Sequence, residues 1–317
     1  LTPPQKKALV RALGKRIAWG MGKVQTLSAP ALAAAALLGA RREAESLPAL
    51  RARVALLLHL AKVKDRRLAP ELRNAEGEAL DAVLVAALEG FEDDGLIETQ
   101  VIGGETFYRQ RGTGAMALSF YRNNISPHFT YESLLATVLL ASPRLSRAWE
   151  EIVQEVEALL FRLEGSVILS PEHSLADCLQ SAADRLADQG LITREGDGIR
   201  AVQDGVWGLS LLRSFLRDVI EAHLIVLTTT ERLVEGPLER RELIRLSFET
   251  GKKLLAAGRV RCQESLSKPA FEQAITWLVR NDQLAAQGSK VALKGELVEK
   301  EARDAQAQRL LVLLREP

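Results

Sequence analysis

The sequence is poor in the side chains that build metal centres and disulfide bonds. It has 2 cysteines and 4 histidines among 317 residues. Cys178 and Cys262 are far apart, and the sequence contains no Cys-x-x-Cys or His-Glu-x-x-His pattern. A low cysteine count without such spacing is typical of proteins in a reducing compartment. The sequence therefore predicts no metal site, no disulfide and no cofactor, and it favours a cytoplasmic location.

Long apolar runs are also missing. The longest, at residues 29–40, has 12 positions, whereas a helix needs about 20 apolar residues to span a bilayer. Residues 209–230 are apolar but carry several charged side chains, which is the pattern of an amphipathic core helix. The sequence shows no secretory signal peptide. Any association with a membrane is therefore expected to be peripheral.

Acidic residues are scarce at the start of the chain. Residues 1–73 hold 15 Lys or Arg but 4 Asp or Glu, although the whole chain has a formal net charge of +1. Such a basic segment predicts contact with anionic lipid, a phosphorylated substrate, a nucleic acid or an acidic protein surface, and a solvated face is the alternative. Five of its bases recur at spacings of one, three, four and five residues, which places several of them along one helical face. These five residues are Lys6, Lys7, Arg11, Lys15 and Arg16.

Helix-forming residues, by contrast, are abundant, and they are arranged in a repeat. Leu96, Leu191 and Leu284 each follow a helical stretch. Each of them precedes a short extended run, a glycine turn and a second short run, which is the pattern of a β-hairpin. Several helices closed by a hairpin are the outline of a winged-helix unit. The predicted fold class is therefore mainly α with small β-hairpins, built as three winged-helix-like helical units in tandem.

The same pattern predicts how the chain is divided. Residues 1–112 would form a basic helical unit closed by a hairpin, and residues 113–205 a second helical unit with a hairpin. Residues 206–295 would form the third unit with its hairpin, and residues 296–317 a C-terminal helix.

One short segment, at residues 118–129, concentrates polar and aromatic side chains. It reads Leu-Ser-Phe-Tyr-Arg-Asn-Asn-Ile-Ser-Pro-His-Phe, although aromatic residues make up 5% of the chain. Adjacent asparagines are poor helix formers, and an arginine can bind a carboxylate or phosphate with several donors. A helix end capped by an asparagine and stopped by proline is the alternative. The candidate structural or interface residues are Tyr121, Arg122, Asn123, Asn124 and His128.

The Tyr-Arg-Asn-Asn-Ile part of this segment resembles a block in the C-terminal region of the membrane-associated glycerol-3-phosphate acyltransferases and their dihydroxyacetone-phosphate relatives. Residues 12–38, with Lys-Arg-Ile, Ala-Pro-Ala-Leu and Ala-Ala-Leu-Leu, are similar to the segment that follows the catalytic domain in that family. Residues 211–257 suit the family's C-terminal end. The order and spacing of these blocks agree with the family over most of the chain.

The catalytic signature of that family, His-x-x-x-x-Asp, is absent from the sequence. The residues five positions after the four histidines are Lys64, Ser133, Cys178 and Thr228. The family's Phe-Pro-Glu-Gly block, followed by Ser-Arg, is absent too. The resemblance therefore implies a segment that lies downstream of the catalytic residues, and a first residue other than Met agrees with this expectation.

The resemblance also implies a function. The chain would be the C-terminal, non-catalytic part of a glycerol-3-phosphate 1-O-acyltransferase, which uses acyl-CoA or acyl carrier protein as the acyl donor in phospholipid synthesis. It would pack on the catalytic domain of the same polypeptide and on the membrane surface, peripherally, at the inner face of the cell membrane. Glycerol 3-phosphate and the acyl donor would be bound by the full enzyme only.

The predicted architecture leaves one rival open, a tandem winged-helix protein with a protein-interaction or regulatory role. Binding of DNA would require a basic recognition helix before each hairpin. The helical sequence before the first hairpin, at residues 76–94, has no Lys or Arg, and the one before the second has only Arg185. We therefore predict no nucleic-acid partner.

Overall fold

The computed structural model describes residues 2–40, 44–112 and 114–316. The predicted segment boundary at residues 112 and 113 falls on Thr113, which lies outside the described residues. In the described part the α-helices are α1 (Pro3–Val24), α2 (Ala29–Leu38), α3 (Leu47–Val63), α4 (Gly77–Asp93), α5 (Gly114–Ile125), α6 (Thr130–Leu140), α7 (Trp149–Arg162), α8 (Leu175–Asp188), α9 (Val206–Thr229), α10 (Arg240–Ala256), α11 (Lys268–Arg280) and α12 (Lys300–Leu314). The strands are β1 (Ala44–Ser46), β2 (Ile97–Ile102), β3 (Glu105–Gln110), β4 (Ser146–Ala148), β5 (Ile192–Glu195), β6 (Gly198–Ala201), β7 (Leu238–Glu239), β8 (Leu284–Gln287) and β9 (Lys290–Leu293).

The chain is mainly α with small antiparallel β elements, as predicted. One pattern occurs three times along it: a short strand, two helices and a hairpin. The three copies are β1-α3-α4-β2-β3, β4-α7-α8-β5-β6 and β7-α10-α11-β8-β9. In the first and third copies the leading strand pairs with the second strand of the hairpin, so the strand orders are β1-β3-β2 and β7-β9-β8. The assignment of these copies as winged helices stays a prediction.

The second helix of each copy ends in the same way. The second residue after the helix has a positive φ, and the N–H of the residue that follows it bonds back to a carbonyl of the last turn, which satisfies the end of the helix. The positive-φ residues are Gly95, Gly190 and Asp282. The residues that follow them, and so occupy equivalent positions, are Leu96, Leu191 and Gln283.

This register corrects the sequence alignment of the repeats in the third copy. Gln283, and not Leu284, is equivalent to Leu96 and Leu191, because its N–H bonds to the Leu278 carbonyl at 2.9 Å. The alignment is one residue off because the third copy uses an aspartate where the other two have glycine.

The first compact unit comprises Leu1–Ala136 and Val167–Phe215. Helix α2 lies at its centre and packs against α3, α4 and α5. The Ser28 side chain accepts a hydrogen bond from the Ala31 N–H at 3.4 Å and so caps α2, and Pro30 lies in the first turn. Most of the helix is alanine, which lets the neighbouring helices approach closely.

The second compact unit comprises Thr137–Ser166 and Leu216–Pro317. Its core includes the second half of α9, which belongs to the predicted amphipathic core helix at residues 209–230. Glu221 is fully buried there, and it accepts hydrogen bonds from Arg217 Nε at 2.8 Å and from the Cys262 N–H at 2.8 Å. A buried carboxylate needs such partners. The division of the chain into three repeat units plus a C-terminal helix stays a prediction beside these two compact units.

No helix within the described ranges combines the length and the apolar character required to traverse a lipid bilayer.

Candidate functional site

The polar and aromatic segment at residues 118–129 forms the end of α5 and the turn after it. Helix α5 ends at Ile125, a single 3₁₀ turn covers Ser126–His128, and α6 begins at Thr130. Pro127 lies in the first positions of the 3₁₀ turn, where its missing N–H is no loss. The two asparagines therefore belong to the last turn of α5.

Arg122 is fully buried although it carries a charge. Its Nη1 lies 3.5 Å from the Ser214 carbonyl oxygen, and its Nε and Nη2 donate to Asn123 Oδ1 at 3.3 and 3.2 Å. The Ser126 hydroxyl donates to the Arg122 carbonyl at 3.1 Å. Because a buried guanidinium must find acceptors, this side chain holds α5 against the first half of α9.

The other members of the predicted group lie in different surroundings. Tyr121 is half-buried and packs edge-on against Phe91, with the ring centroids 5.2 Å apart. Asn123 and Asn124 are exposed. The structure therefore brings Arg122 and Asn123 into direct contact and leaves Asn124 at the surface.

His128 is buried and contacts the segment that follows α1. Its Nε2 lies 3.1 Å from the Gln25 carbonyl oxygen, so that nitrogen carries the proton and donates it. Burial, with help from the nearby charges of Arg66 and Lys64, lowers the pKa of His128 to about 4. The imidazole is therefore neutral at physiological pH, and its Nε2 is engaged with the backbone.

A buried group of three charges adjoins His128, and the sequence reasoning missed it. Glu132 Oε1 accepts from Lys64 Nζ at 2.9 Å and from Arg185 Nε at 2.9 Å, and the carboxylate is almost fully buried. Lys64 Nζ also donates to the His128 carbonyl and lies 4.8 Å from the centroid of the Phe129 ring. Glu132 is the one charged residue of α6, and this was the sequence signal for the group, because a buried acid requires partners.

The pKa values in this group follow from burial and from the charges. Burial lowers the pKa of Lys64 to about 8, although Glu132 opposes the change. Burial alone would raise the pKa of Glu132, but Lys64 and Arg185 outweigh it and the pKa lies below its usual value. Glu132 is therefore ionised at neutral pH and holds two cations.

A cleft of about 360 Å³ opens beside this group, within the first compact unit. Tyr131 is one of its walls: its phenol oxygen accepts a hydrogen bond from the Ser170 N–H at 2.7 Å, and burial raises its pKa. Trp19 Nε1 and Arg66 Nε are buried donors without a hydrogen-bond partner among the described residues. Other side chains that line the cleft are Lys23, Lys64, His128, Glu132, His173 and Cys178.

The cleft is lined by two histidines and three carboxylates, and each carboxylate is engaged with another group. Across residues 2–40, 44–112 and 114–316, no histidine shares a hydrogen bond or an ion pair with a carboxylate. Asp177 accepts from the Ser174 hydroxyl at 2.6 Å, and Glu132 is held by its two cations. The same residues contain no cluster of His, Cys, Asp and Glu that could hold a metal ion.

The predicted basic residues all lie on α1 and are all exposed. The same helix exposes an apolar stripe of Leu9, Leu13, Ile17 and Met21, whose spacing of four residues places them on one face. The C-terminal end of α1 is anchored, because Gly22 packs closely on Pro127. Most of α1 therefore presents an apolar stripe that is bordered by bases, an uncommon surface for a soluble protein.

Most of the chain matches the model of one protein family. The family model described as the glycerol-3-phosphate acyltransferase C-terminal region matches residues 1–287. The match includes α1, the segment around Arg122 and most of the third repeat. The chain therefore belongs to the glycerol-3-phosphate acyltransferase C-terminal region family.

Proposed function

We propose that the chain is the non-catalytic C-terminal part of a glycerol-3-phosphate 1-O-acyltransferase. The full enzyme would transfer an acyl group from acyl-CoA or acyl carrier protein to glycerol 3-phosphate in phospholipid synthesis. Family membership supports the reaction class. The absence of His-x-x-x-x-Asp from the sequence supports a non-catalytic role, since acyl transfer to a hydroxyl needs a general base. The engagement of His128 with a backbone carbonyl is consistent with this role.

The surface of α1 is the observation that carries the proposal. Its apolar stripe would pack against the catalytic domain of the same polypeptide, because burial of four large apolar side chains stabilises such a contact. The bases that border the stripe would contact anionic headgroups at the inner face of the cell membrane. The chain would thus join the catalytic domain to the membrane surface as a peripheral element.

The buried guanidinium of Arg122 would have a supporting role in this arrangement. It fixes the end of α5, which leads directly into the 3₁₀ turn on which α1 is anchored. A shift of α5 would therefore displace the base of α1. In this proposal Arg122, Asn123 and His128 organise the support for α1 and bind no substrate. Tyr121 packs on Phe91 beside them, and the exposed Asn124 stays a candidate interface residue.

The test is a pair of double variants in the full-length polypeptide. Leu13→Asp with Ile17→Asp places two charges on the stripe, where the native side chains are 56% and 54% exposed. Val101→Asp with Ile102→Asp is the matched control at the tip of the first hairpin, where the exposures are 67% and 56%. Loss of acyltransferase activity only in the first variant supports the proposal. Equal activities in the two variants would overturn it.

The rival function, a winged-helix module for protein interaction, is favoured by the strand orders β1-β3-β2 and β7-β9-β8. Binding of DNA by such a module is disfavoured, because the helices before the first two hairpins offer no free basic side chain. Helix α4 has no Lys or Arg, and Arg185 of α8 is held by Glu132. A gel-shift titration with duplex DNA is the test, and we expect no salt-sensitive complex.

A further inference from the structure

A second pocket lies where α3 ends and the following loop begins. Its volume is about 380 Å³, and its lining is Lys62, Arg66, Arg67, Leu68 and Arg73. Four of these five side chains are cations. Within the described residues no acidic side chain lines the pocket. We refer to it as the basic pocket.

The backbone holds the loop of the basic pocket in place without any ligand. The Arg66 N–H bonds to the Ala61 carbonyl at 3.0 Å and so closes the end of α3. The Leu27 N–H bonds to the Arg67 carbonyl, and the Ala69 N–H bonds to the Leu27 carbonyl, both at 2.9 Å. The loop is therefore tied to the segment after α1, and a pocket with a fixed backbone loses little entropy on binding.

The charges of the basic pocket are poorly neutralised. Lys62 Nζ lies 3.7 Å from Glu76, whose side chain is 86% exposed, and such a pair is weak in water. In the part of the chain that the structure describes, neither Arg67 nor Arg73 forms an ion pair. Arg66 Nε is buried and lacks a hydrogen-bond partner among the same residues. Arg67 and Arg73 are exposed, so their guanidinium groups are accessible to an anion.

The neighbouring groups add to the positive field. Arg66 also lines the cleft that contains Lys64 and Arg185, and its charge contributes to the low pKa of His128 after burial. The cleft is also lined by three acids, Glu132, Glu172 and Asp177, of which Glu132 is shared by two cations. Asp65 and Glu71 belong to the same loop, but both are exposed and neither lines the basic pocket.

We propose that the basic pocket binds a phosphate group. A phosphate offers several charged oxygens, and guanidinium groups grip them through paired N–H donors. A free phosphate ester and a lipid headgroup share this chemistry. The volume is within the range of small-ligand sites. The proposal goes beyond the proposed function and does not depend on it, because none of the residues that line the basic pocket belongs to α1.

The direct test is calorimetric titration of the 317-residue chain with inorganic phosphate at constant ionic strength. The variant Arg67→Ala with Arg73→Ala removes two exposed cations of the basic pocket. The matched control, Arg232→Ala with Arg280→Ala, removes two exposed arginines elsewhere. We expect saturable binding that weakens at least about tenfold in the first variant and stays unchanged in the control. Non-saturable binding by the native chain, or equal binding by both variants, would overturn the proposal.

A charge-preserving variant separates specific recognition from general attraction. Arg67→Lys with Arg73→Lys keeps both charges but loses the paired donors. We expect its affinity to lie between those of the native chain and the alanine variant. Native affinity in the lysine variant would show attraction by charge alone and would contradict recognition by the guanidinium groups.

The source of the phosphate is distinguished by sedimentation with vesicles of phosphatidylglycerol or of phosphatidylcholine. A lipid headgroup is identified if the chain sediments with phosphatidylglycerol vesicles but not with phosphatidylcholine vesicles, and if the Arg67→Ala with Arg73→Ala variant sediments less. Phosphate binding without such sedimentation identifies a soluble phosphate ester. A native chain that binds neither phosphate nor vesicles would refute the proposal, and the acyltransferase test above would be unaffected.

Discussion

Lys64 Nζ and Glu132 Oε1 are 2.9 Å apart in a site where both side chains are almost fully buried. The two residues are distant in sequence, and they join the end of α3 to the first turn of α6. Arg185 of α8 shares the same carboxylate oxygen. One buried acid therefore links three helices of the first compact unit.

We predict that Glu132→Gln destabilises the chain by about 3 kcal/mol, because two buried cations lose their counter-charge. Equilibrium unfolding in urea measures the change. Glu98→Gln is the control, since Glu98 pairs with Arg109 at the surface and such pairs contribute little. Equal changes in the two variants would mean that the buried group contributes no more than a surface pair.

Stability is predicted to fall as the pH falls from about 6.5 to about 4. The pKa of His128 is about 4 in the folded state, whereas the ordinary histidine value of 6.5 applies in the unfolded chain, so the unfolded chain binds a proton that the folded chain does not. The contribution of His128 to the free energy of unfolding is therefore complete above pH 6.5. It declines below that pH, and about 3 kcal/mol is lost at pH 4. Burial lowers the pKa of His223 to about 3, which adds to the same trend.

His128→Gln tests this assignment, because the amide can still donate to the Gln25 carbonyl but does not titrate. Urea unfolding at pH 7 and at pH 5 should show a smaller difference in the variant than in the native chain. The same pH dependence in both proteins would assign the effect to other groups.

Gly205→Ala is predicted to destabilise the chain by about 1 to 3 kcal/mol through overpacking. A Cβ at this position would lie 2.6 Å from Leu191 Cα, in a backbone that cannot move aside easily. Gly14→Ala is the matched control, because a Cβ on that exposed helix meets nothing within 4 Å. Thermal unfolding should show a loss for the first variant and no loss for the second. A native-like melting temperature for Gly205→Ala would contradict the close packing.

Asp282→Gly is predicted to stabilise the chain by up to about 1 kcal/mol. Asp282 has a φ of 56°, a conformation that favours glycine, and the equivalent residues Gly95 and Gly190 are glycines. The variant also loses an exposed ion pair with Lys294. Lys294→Ala measures that loss separately, and a net loss in Asp282→Gly beyond it would refute the strain argument.

Arg122→Ala in the full-length enzyme is predicted to lower activity or stability. It removes a buried guanidinium and leaves the Ser214 carbonyl without this donor. Activity per folded molecule and urea unfolding together separate the two effects. An enzyme with unchanged activity and stability would show that the residue has no supporting role.

The sequence predicts the hairpins well because their signals are local. Each glycine turn lies between two extended runs, and the resulting pairs, such as Ile97 with Gln110 and Ile192 with Ala201, need no distant partner. The register of the third copy was missed because Asp282 takes a conformation that sequence reasoning assigns to glycine.

The unforeseen features depend on contacts over long distances in sequence. The leading strands β1, β4 and β7 have two or three residues each, too few to carry a pattern. The group of Lys64, Glu132 and Arg185 is assembled from three helices, so no spacing could indicate it. Arg122 was a candidate because the composition of the surrounding segment is unusual. Its complete burial depends on tertiary packing and could not be predicted from the sequence.

The central claim is that this chain lacks the groups that catalyse acyl transfer. The most direct measurement is an acyltransferase assay of the purified 317-residue chain with an acyl-CoA and radiolabelled glycerol 3-phosphate. The account predicts no acylated product above the level of the protein-free reaction. Product that forms in proportion to the amount of chain would contradict it.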